Sequence, residues 1–230
     1  MARNVRRGKA NASYHPEGGI VKNVFLLSKG FIHPSLLGRH YLRRCIAELS
    51  GIVVRETSSI ESLARLRYPE YAALVMYLHR QVISRGALDA LDGFVRSGGG
   101  LLAVHSASAS FKKESRFFDI LGGRFVRHDR VHEFTVSASV QDPGIFTGIP
   151  SFTIRDELYL HEYDPGVTVH FTADHEGRAE PVAWTRAHGQ GRVCYISLGH
   201  RAPAIKNPHV LEMLRQGMRW VAGEEGGDKG

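Results

Sequence analysis

The sequence has little cysteine, with only Cys45 and Cys194 among 230 residues. Two cysteines so far apart exclude a disulfide framework and a CxxC metal site, and nothing in the sequence indicates an oxidising compartment. Isolated cysteines of this kind commonly behave as small, buried, apolar side chains. We therefore predict that both are structural.

Long apolar runs are also missing. No stretch of 18 consecutive apolar residues is present, which excludes a conventional membrane-spanning helix. The basic N-terminal segment lacks the apolar core that a secretory signal requires. These absences predict a cytoplasmic protein without a membrane partner.

Acidic residues are scarce at the N-terminus. The formal net charge is +7, and five basic residues against Glu17 place +4 of it in the first 22 residues. A basic arm can contact nucleic-acid phosphates or anionic lipid, but the Gly, Asn, Ser and Pro content without apolar periodicity favours a flexible leader. We predict a leader over 1–21, one domain over 22–223 and a frayed tail over 224–230, with a nucleic-acid partner disfavoured.

Between these ends the chain alternates short apolar runs with amphipathic segments. This alternation predicts an α/β fold in which a mostly parallel central sheet carries helices on both faces. The predicted strands are 23–27, 52–54, 71–77 and 101–104, and the predicted helices are 36–49 and 86–97. Beyond Gly123 the pattern predicts further strands that pair antiparallel or extend the edge of the sheet, over 134–136, 157–163, 167–171, 181–184 and 192–198. A last helix is predicted over 208–221.

Histidines follow several of these strands. His33, His105 and His200 each come after a predicted strand, and His128 comes from a loop. Ligands of parallel sheets bind beyond the carboxyl ends of the strands, so these imidazoles are candidate metal ligands, acid/base groups or partners for a polyhydroxylated ligand. Each one taken alone is equally compatible with a local backbone hydrogen bond. Because the sequence has no HxH or HExxH motif, a site for zinc or another divalent metal would have to be assembled from distant segments.

The segment 156–161 is a second candidate. As a strand it directs Glu157, Tyr159 and His161 to one face and Asp156 to the other. The first face is polar and ionisable, which suits acid/base chemistry or hydroxyl binding, although a solvated outer face is the alternative.

Six short motifs follow one another along the chain: Gly98–Gly100 with Val104–Ala107, Leu121–Gly123 with His128, Asp156–Tyr159, Pro181–Trp184, Gly189–Val193 and Leu198–His200. In this order and at this spacing they resemble the ThuA-like (trehalose utilisation) family over residues 22–223. The resemblance implies a flavodoxin-like fold similar to class I glutamine amidotransferases, and a role in carbohydrate utilisation. It also implies a histidine after the first strand, which His33 matches, whereas the usual His-Pro pair is replaced by Asp142-Pro143.

In the related amidotransferases a cysteine nucleophile occupies the turn after the central strand. Here that turn carries His105 and Ser106, which argues against glutamine hydrolysis through a thiolate. Ser106 is a candidate substitute nucleophile, but its surroundings are not G-x-S-x-G, and a serine at a helix start is commonly a cap.

Two hypotheses of different classes follow. The first is a sugar-modifying enzyme whose small-molecule substrate binds among these strand ends; the second is a non-catalytic binding or regulatory domain on the same scaffold. Whether the chain forms a homo-oligomer stays open. The candidate catalytic residues are His105, Ser106, Glu157 and His200, the candidate substrate-binding residues are His33, His128, Asp156 and Tyr159, and any metal would be held among His33, His105, His128 and His200.

Overall fold

The apolar runs in the first hundred residues form parallel strands joined by helices. The computed structural model describes residues 21–30, 34–139 and 144–224. Its first elements are β1 Lys22–Lys29, α1 Leu36–Ala47, β2 Ile52–Thr57, a 3₁₀ helix Ile60–Arg65, β3 Ala73–Leu78, α2 Arg85–Arg96 and β4 Gly100–Val104. Every residue of β3 and β4 is buried, which is why these strands show continuous apolar runs rather than alternation.

The remaining elements are mainly strands. They are a 3₁₀ helix His105–Ala109, α3 Ser115–Leu121, β5 Gly123–His128, β6 His132–Ala138, β7 Phe152–Asp156, β8 Tyr159–Tyr163, β9 Thr168–His175, β10 Arg178–His188, β11 Gly191–Ile196, α4 Ala202–Ile205 and α5 Pro208–Val221. Within the described residues no helix has both the length and the apolar character needed to cross a membrane.

The described strands form one large mixed sheet and one small sheet. The large sheet has the order β2-β1-β3-β4-β11-β10-β9-β6-β7. Its pairings are parallel from β2 to β11 and antiparallel from β11 to β7. The predicted fold class, a parallel central sheet with added antiparallel strands, is therefore confirmed.

Two features of the strand pattern differ from prediction. Strands β5 and β7 were not predicted, and the predicted strand 157–163 is interrupted at its start. β7 ends at Asp156 and pairs with β6 in the large sheet, whereas β8 begins at Tyr159 and pairs with β5 in the small one. Glu157 and Leu158 therefore form a two-residue link between the two sheets.

Helices cover both faces of the parallel strands. Leu42 of α1 and Leu214 of α5 share a buried cluster with Val75 of β3, and Leu91 of α2 and Phe117 of α3 belong to the other cluster. Both cysteines are free and buried. Burial raises the pKa of the Cys45 thiol to about 11, and it also raises the pKa of Cys194. Burial thus keeps both side chains as neutral thiols.

The ends of the chain lie largely outside this description. Of the predicted leader and tail, residues 1–20 and 225–230 are outside the described residues, so these domain boundaries stay predictions. His33 and the pair Asp142-Pro143 lie outside them as well.

Candidate active site

His105 occupies a sharp turn at the carboxyl end of β4. Its φ of +46° lies in the left-handed region, which a residue with a Cβ rarely adopts and which costs free energy. The Tyr195 hydroxyl donates to the His105 carbonyl at 2.8 Å, and Ser108 Oγ donates to it at 3.3 Å. The strained turn is therefore held by buried hydroxyl groups.

The His105 ring is fixed as firmly as its backbone. Its Nδ1 lies 2.7 Å from the carbonyl oxygen of Ser197, which can only accept, so Nδ1 donates and carries the proton. In the neutral ring Nε2 then presents a lone pair. A backbone carbonyl that fixes the tautomer in this way is the usual support of a metal-ligating imidazole.

His200 is placed by a second turn, after β11. Gly199 has φ +117°, and a Cβ there would lie 2.6 Å from Ile205 Cδ1. The Asp156 carboxylate accepts from the backbone N–H groups of Gly199 at 2.7 Å and His200 at 3.1 Å. On the opposite side the Tyr77 hydroxyl donates to the Gly199 carbonyl at 2.5 Å. We call this arrangement the Asp156 clamp.

Asp156 is thus a support of the turn rather than part of the surface of the site. Its residue exposure is 1%, and its carboxylate faces backbone N–H groups. Burial raises the pKa of Asp156 to about 6, although the N–H groups of Gly199 and His200 act in the opposite direction. The predicted contact of Asp156 with substrate stays a prediction.

Glu157 lies at the centre of the histidines. Its Oε2 is 2.9 Å from His200 Nδ1 and 3.7 Å from His105 Nε2, and its Oε1 is 3.7 Å from His128 Nδ1. Burial raises the pKa of Glu157, but the hydrogen bond and charge of His200, with the charges of the other two imidazoles, outweigh burial and lower it overall. Glu157 is therefore ionised at neutral pH.

Three of these groups lie close enough together that they could hold a metal ion. Ligand atoms of His105, Glu157 and His200 all lie within 4.8 Å of one another. Two imidazoles and one carboxylate form a common catalytic zinc set, which leaves a fourth position for water or substrate. The fixed His105 tautomer fits this role, and the pKa of Glu157 gives a carboxylate ready to bind.

The remaining predicted site residues lie at the edge of this group. The side chain of His128 is 40% exposed, and its Nδ1 is 2.8 Å from the Asp129 carbonyl oxygen. The Tyr159 ring packs 4.2 Å from that of His105 and 5.6 Å from that of His128, measured between ring centroids. Tyr159 is buried, which raises its pKa and keeps its hydroxyl protonated. It forms an aromatic wall between the two imidazoles.

Ser106 does not join the cluster. It is fully buried, and its Oγ has no hydrogen-bond partner in the described part of the chain. The structure therefore brings no histidine base to it, and the arrangement that a serine nucleophile requires is not formed by the described residues.

His161 belongs to a buried network behind His105. Its Nε2 lies 3.0 Å from the Tyr195 hydroxyl oxygen and 3.3 Å from Ser108 Oγ, and those two oxygens are 2.8 Å apart. Burial lowers the pKa of His161 to about 3, so it is neutral. The alternative prediction of a solvated outer face for this strand is wrong for His161 and Tyr159, because both residues are buried.

The sequence analysis did not find the residues that support the site from behind. These are Tyr195, Ser108 and Tyr77, and none of them belongs to a recognisable motif.

These features define an α/β protein with a histidine and carboxylate centre at the carboxyl end of its parallel strands. The sequence model of the ThuA family, described as trehalose utilisation, matches residues 23–221, and the chain belongs to this family. No curated protein matches the chain.

Solved structures agree on the fold. A ThuA-like protein from Parabacteroides merdae ATCC 43184 has 18% identity and a TM-score of 0.77, covering 91% of this chain and 92% of that one. A ThuA-like protein from Bacteroides uniformis ATCC 8492 has 17% identity and a TM-score of 0.70 over 94% and 95%. A protein described as cytoplasmic, from Salmonella typhimurium LT2, has 15% identity and a TM-score of 0.59 over 88% and 97%.

Proposed function

We propose that this chain is an enzyme of carbohydrate utilisation that acts on trehalose or a related sugar, with a divalent metal held by His105, Glu157 and His200. The observation that carries the proposal is the convergence of their ligand atoms within 4.8 Å from three separate segments of the chain. The family description supports a sugar as the substrate class.

The described residues have distinct parts in this proposal. A bound divalent metal supplies Lewis-acid polarisation of a substrate oxygen or of a water molecule. His105 and His200 would hold the metal through their ring nitrogens, and Glu157 would contribute the negative charge. Tyr159 walls the site, and the half-exposed His128 is the group available to exchange a proton with a sugar hydroxyl. Asp156 acts by positioning His200.

One contact in the site favours a second mechanism, acid/base catalysis without a metal. His200 Nδ1 lies 2.9 Å from Glu157 Oε2, which is the contact of a paired acid and base. In that case the imidazoles and Glu157 would move protons on a sugar or keto-sugar without a metal. A non-catalytic binding domain is the remaining alternative from the sequence.

Elemental analysis after zinc loading separates these mechanisms. We expect one equivalent of metal in the wild type and a large loss in His105→Ala, Glu157→Gln and His200→Ala. His132→Ala is the matched control, because His132 is not part of the His105, Glu157 and His200 group and its Nδ1 lies 2.8 Å from the Arg130 carbonyl oxygen. A wild type that stays metal-free after loading contradicts the metal site. Undiminished sugar turnover in His105→Ala would contradict both catalytic proposals.

A cytoplasmic location is part of the same proposal. It is supported by the cytoplasmic description of the Salmonella structural neighbour. Whether the chain forms a homo-oligomer stays open, as it did from the sequence.

A further inference from the structure

We propose that Arg39 forms an anion subsite beside the candidate active site, so that the sugar bound there carries a carboxylate or phosphate group. The inference rests on the proposed function in that it places a sugar at the histidine cluster. It goes further by naming the chemical class of that sugar and a residue that selects it.

Among the residues that the structure describes, none is a counter-ion of the Arg39 side chain. Arg39 lies in the first turn of α1, where its backbone N–H bonds the Ser35 carbonyl at 3.0 Å. Its Nε is buried without a hydrogen-bond partner, and no ion pair involves this guanidinium within the described residues. Removing part of a guanidinium from water without pairing it costs free energy. An incoming anion would recover that cost.

The neighbouring arginines of α1 show the contrast. Arg43 pairs with Glu56 at 3.3 Å and Arg44 with Glu48 at 2.7 Å, although their side chains are 55% and 68% exposed. The more solvated guanidiniums of this helix are therefore paired, while the partly buried one is not.

Tyr77 connects the start of α1, just before Arg39, with the turn that carries His200. The preceding residue, Gly38, packs so closely on Tyr77 that a Cβ there would lie 2.9 Å from the Tyr77 hydroxyl oxygen. That hydroxyl donates to the Gly199 carbonyl at 2.5 Å. The Arg39 charge also acts on Tyr77, partly offsetting the rise in the Tyr77 pKa that burial and Asp156 cause.

The surrounding charges favour an anion on this side of the cluster. The first turn of α1 contains no acidic residue, and the helix N-terminus adds partial positive charge. Asp156 does not serve as the partner of Arg39, because its oxygens accept the N–H groups of Gly199 and His200. A planar guanidinium matches carboxylate and phosphate oxygens, so these are the groups that it would select.

The test is a comparison of charged and neutral sugars on the zinc-loaded full chain. Calorimetry would measure the binding of D-glucuronate, D-gluconate and D-glucose 6-phosphate against D-glucose. We expect at least one anionic sugar to bind the wild type about tenfold more tightly than glucose, with the difference shrinking at high salt. Arg39→Gln should abolish this preference and Arg39→Lys should retain part of it, whereas the matched control Arg43→Gln should keep it.

Two results would overturn the anion subsite. One is a wild type without preference for any anionic sugar, and the other is a preference that survives in Arg39→Gln. Unfolding curves and metal content from the same samples separate the possible failures. A wild type that holds zinc but shows no charge preference refutes only the subsite, whereas a wild type without zinc independently contradicts the proposed metal site.

Discussion

Replacing Asp156 tests how the His200 turn is held. Asp156→Ala leaves the buried N–H groups of Gly199 and His200 without their acceptor, whereas Asp156→Asn keeps one side-chain oxygen. Both variants remove the charge, so their difference isolates the hydrogen bonds. An unsatisfied buried donor costs about 1–3 kcal/mol, and we expect Asp156→Ala to be less stable than Asp156→Asn by that amount.

The charge of Asp156 has a separate signature in pH. Burial raises its pKa from 3.8 to about 6 in the folded protein, which corresponds to about 3 kcal/mol. Between these values the unfolded carboxyl is ionised and the folded one is protonated, so the stability of the wild type falls as pH rises. Relative to Asp156→Asn, which does not titrate there, the wild type should lose up to about 3 kcal/mol from pH 4 to pH 7.

Urea unfolding of the three proteins in a metal chelator measures both effects, and competition with a chromophoric chelator measures zinc affinity. We expect the zinc affinity to decrease from the wild type to Asp156→Asn and further to Asp156→Ala, because the Asp156 clamp positions His200. Equal stability and equal zinc affinity of the two variants would refute the clamp. If the stability of the wild type rises relative to that of Asp156→Asn as the pH increases, the N–H groups outweigh burial in setting the pKa of Asp156.

Three further changes probe the supports of the site. Burial lowers the pKa of His161 from 6.5 to about 3 in the folded protein. In urea unfolding the wild type should therefore lose about 2 kcal/mol of stability relative to His161→Gln as the pH falls from 6.5 to 5. A stability difference that does not change with pH would contradict the burial of His161 as a neutral ring. Gly199→Ala places a Cβ 2.6 Å from Ile205 Cδ1 at φ +117° and should cost about 1–3 kcal/mol in thermal unfolding, while an unchanged midpoint would refute the strain. Tyr195→Phe removes the hydroxyl that donates to the His105 carbonyl, so it should lower the stability by about 1 kcal/mol and weaken zinc binding. Chelator competition measures the zinc affinity, and an undiminished affinity would show that this hydroxyl does not support the site.

The sequence was sufficient where burial leaves a direct pattern. Strands β3 and β4 are buried throughout, so they appear as apolar runs, and the topology of parallel strands brings their carboxyl ends to one edge. This is why His105 and His200 could be predicted as neighbours without any local metal motif. β5 gave no such signal because, of its residues, only Gly123 is buried.

Other features depend on tertiary pairing. Polar or amphipathic residues alternate with leucines from Glu157 through His161, as they would in one uninterrupted strand, so this pattern does not mark the place where the chain leaves one sheet for the other. Tyr77 and Tyr195 lie inside apolar runs, and only the folded chain shows that their hydroxyls end at Gly199 and His105. For the same reason the sequence could not show whether Ser106 is buried or is exposed as a nucleophile must be.

The link between β7 and β8 gives the site an unusual dependence on chain length. Glu157 is one of its two residues, and the flanking strands are anchored in different sheets. A single inserted or deleted residue would displace the carboxylate from both imidazoles at once, while leaving the strand pairings on either side intact. Divergence in this part of the molecule is therefore constrained to substitution, and a designer who wishes to retune the centre should exchange side chains here and vary length elsewhere.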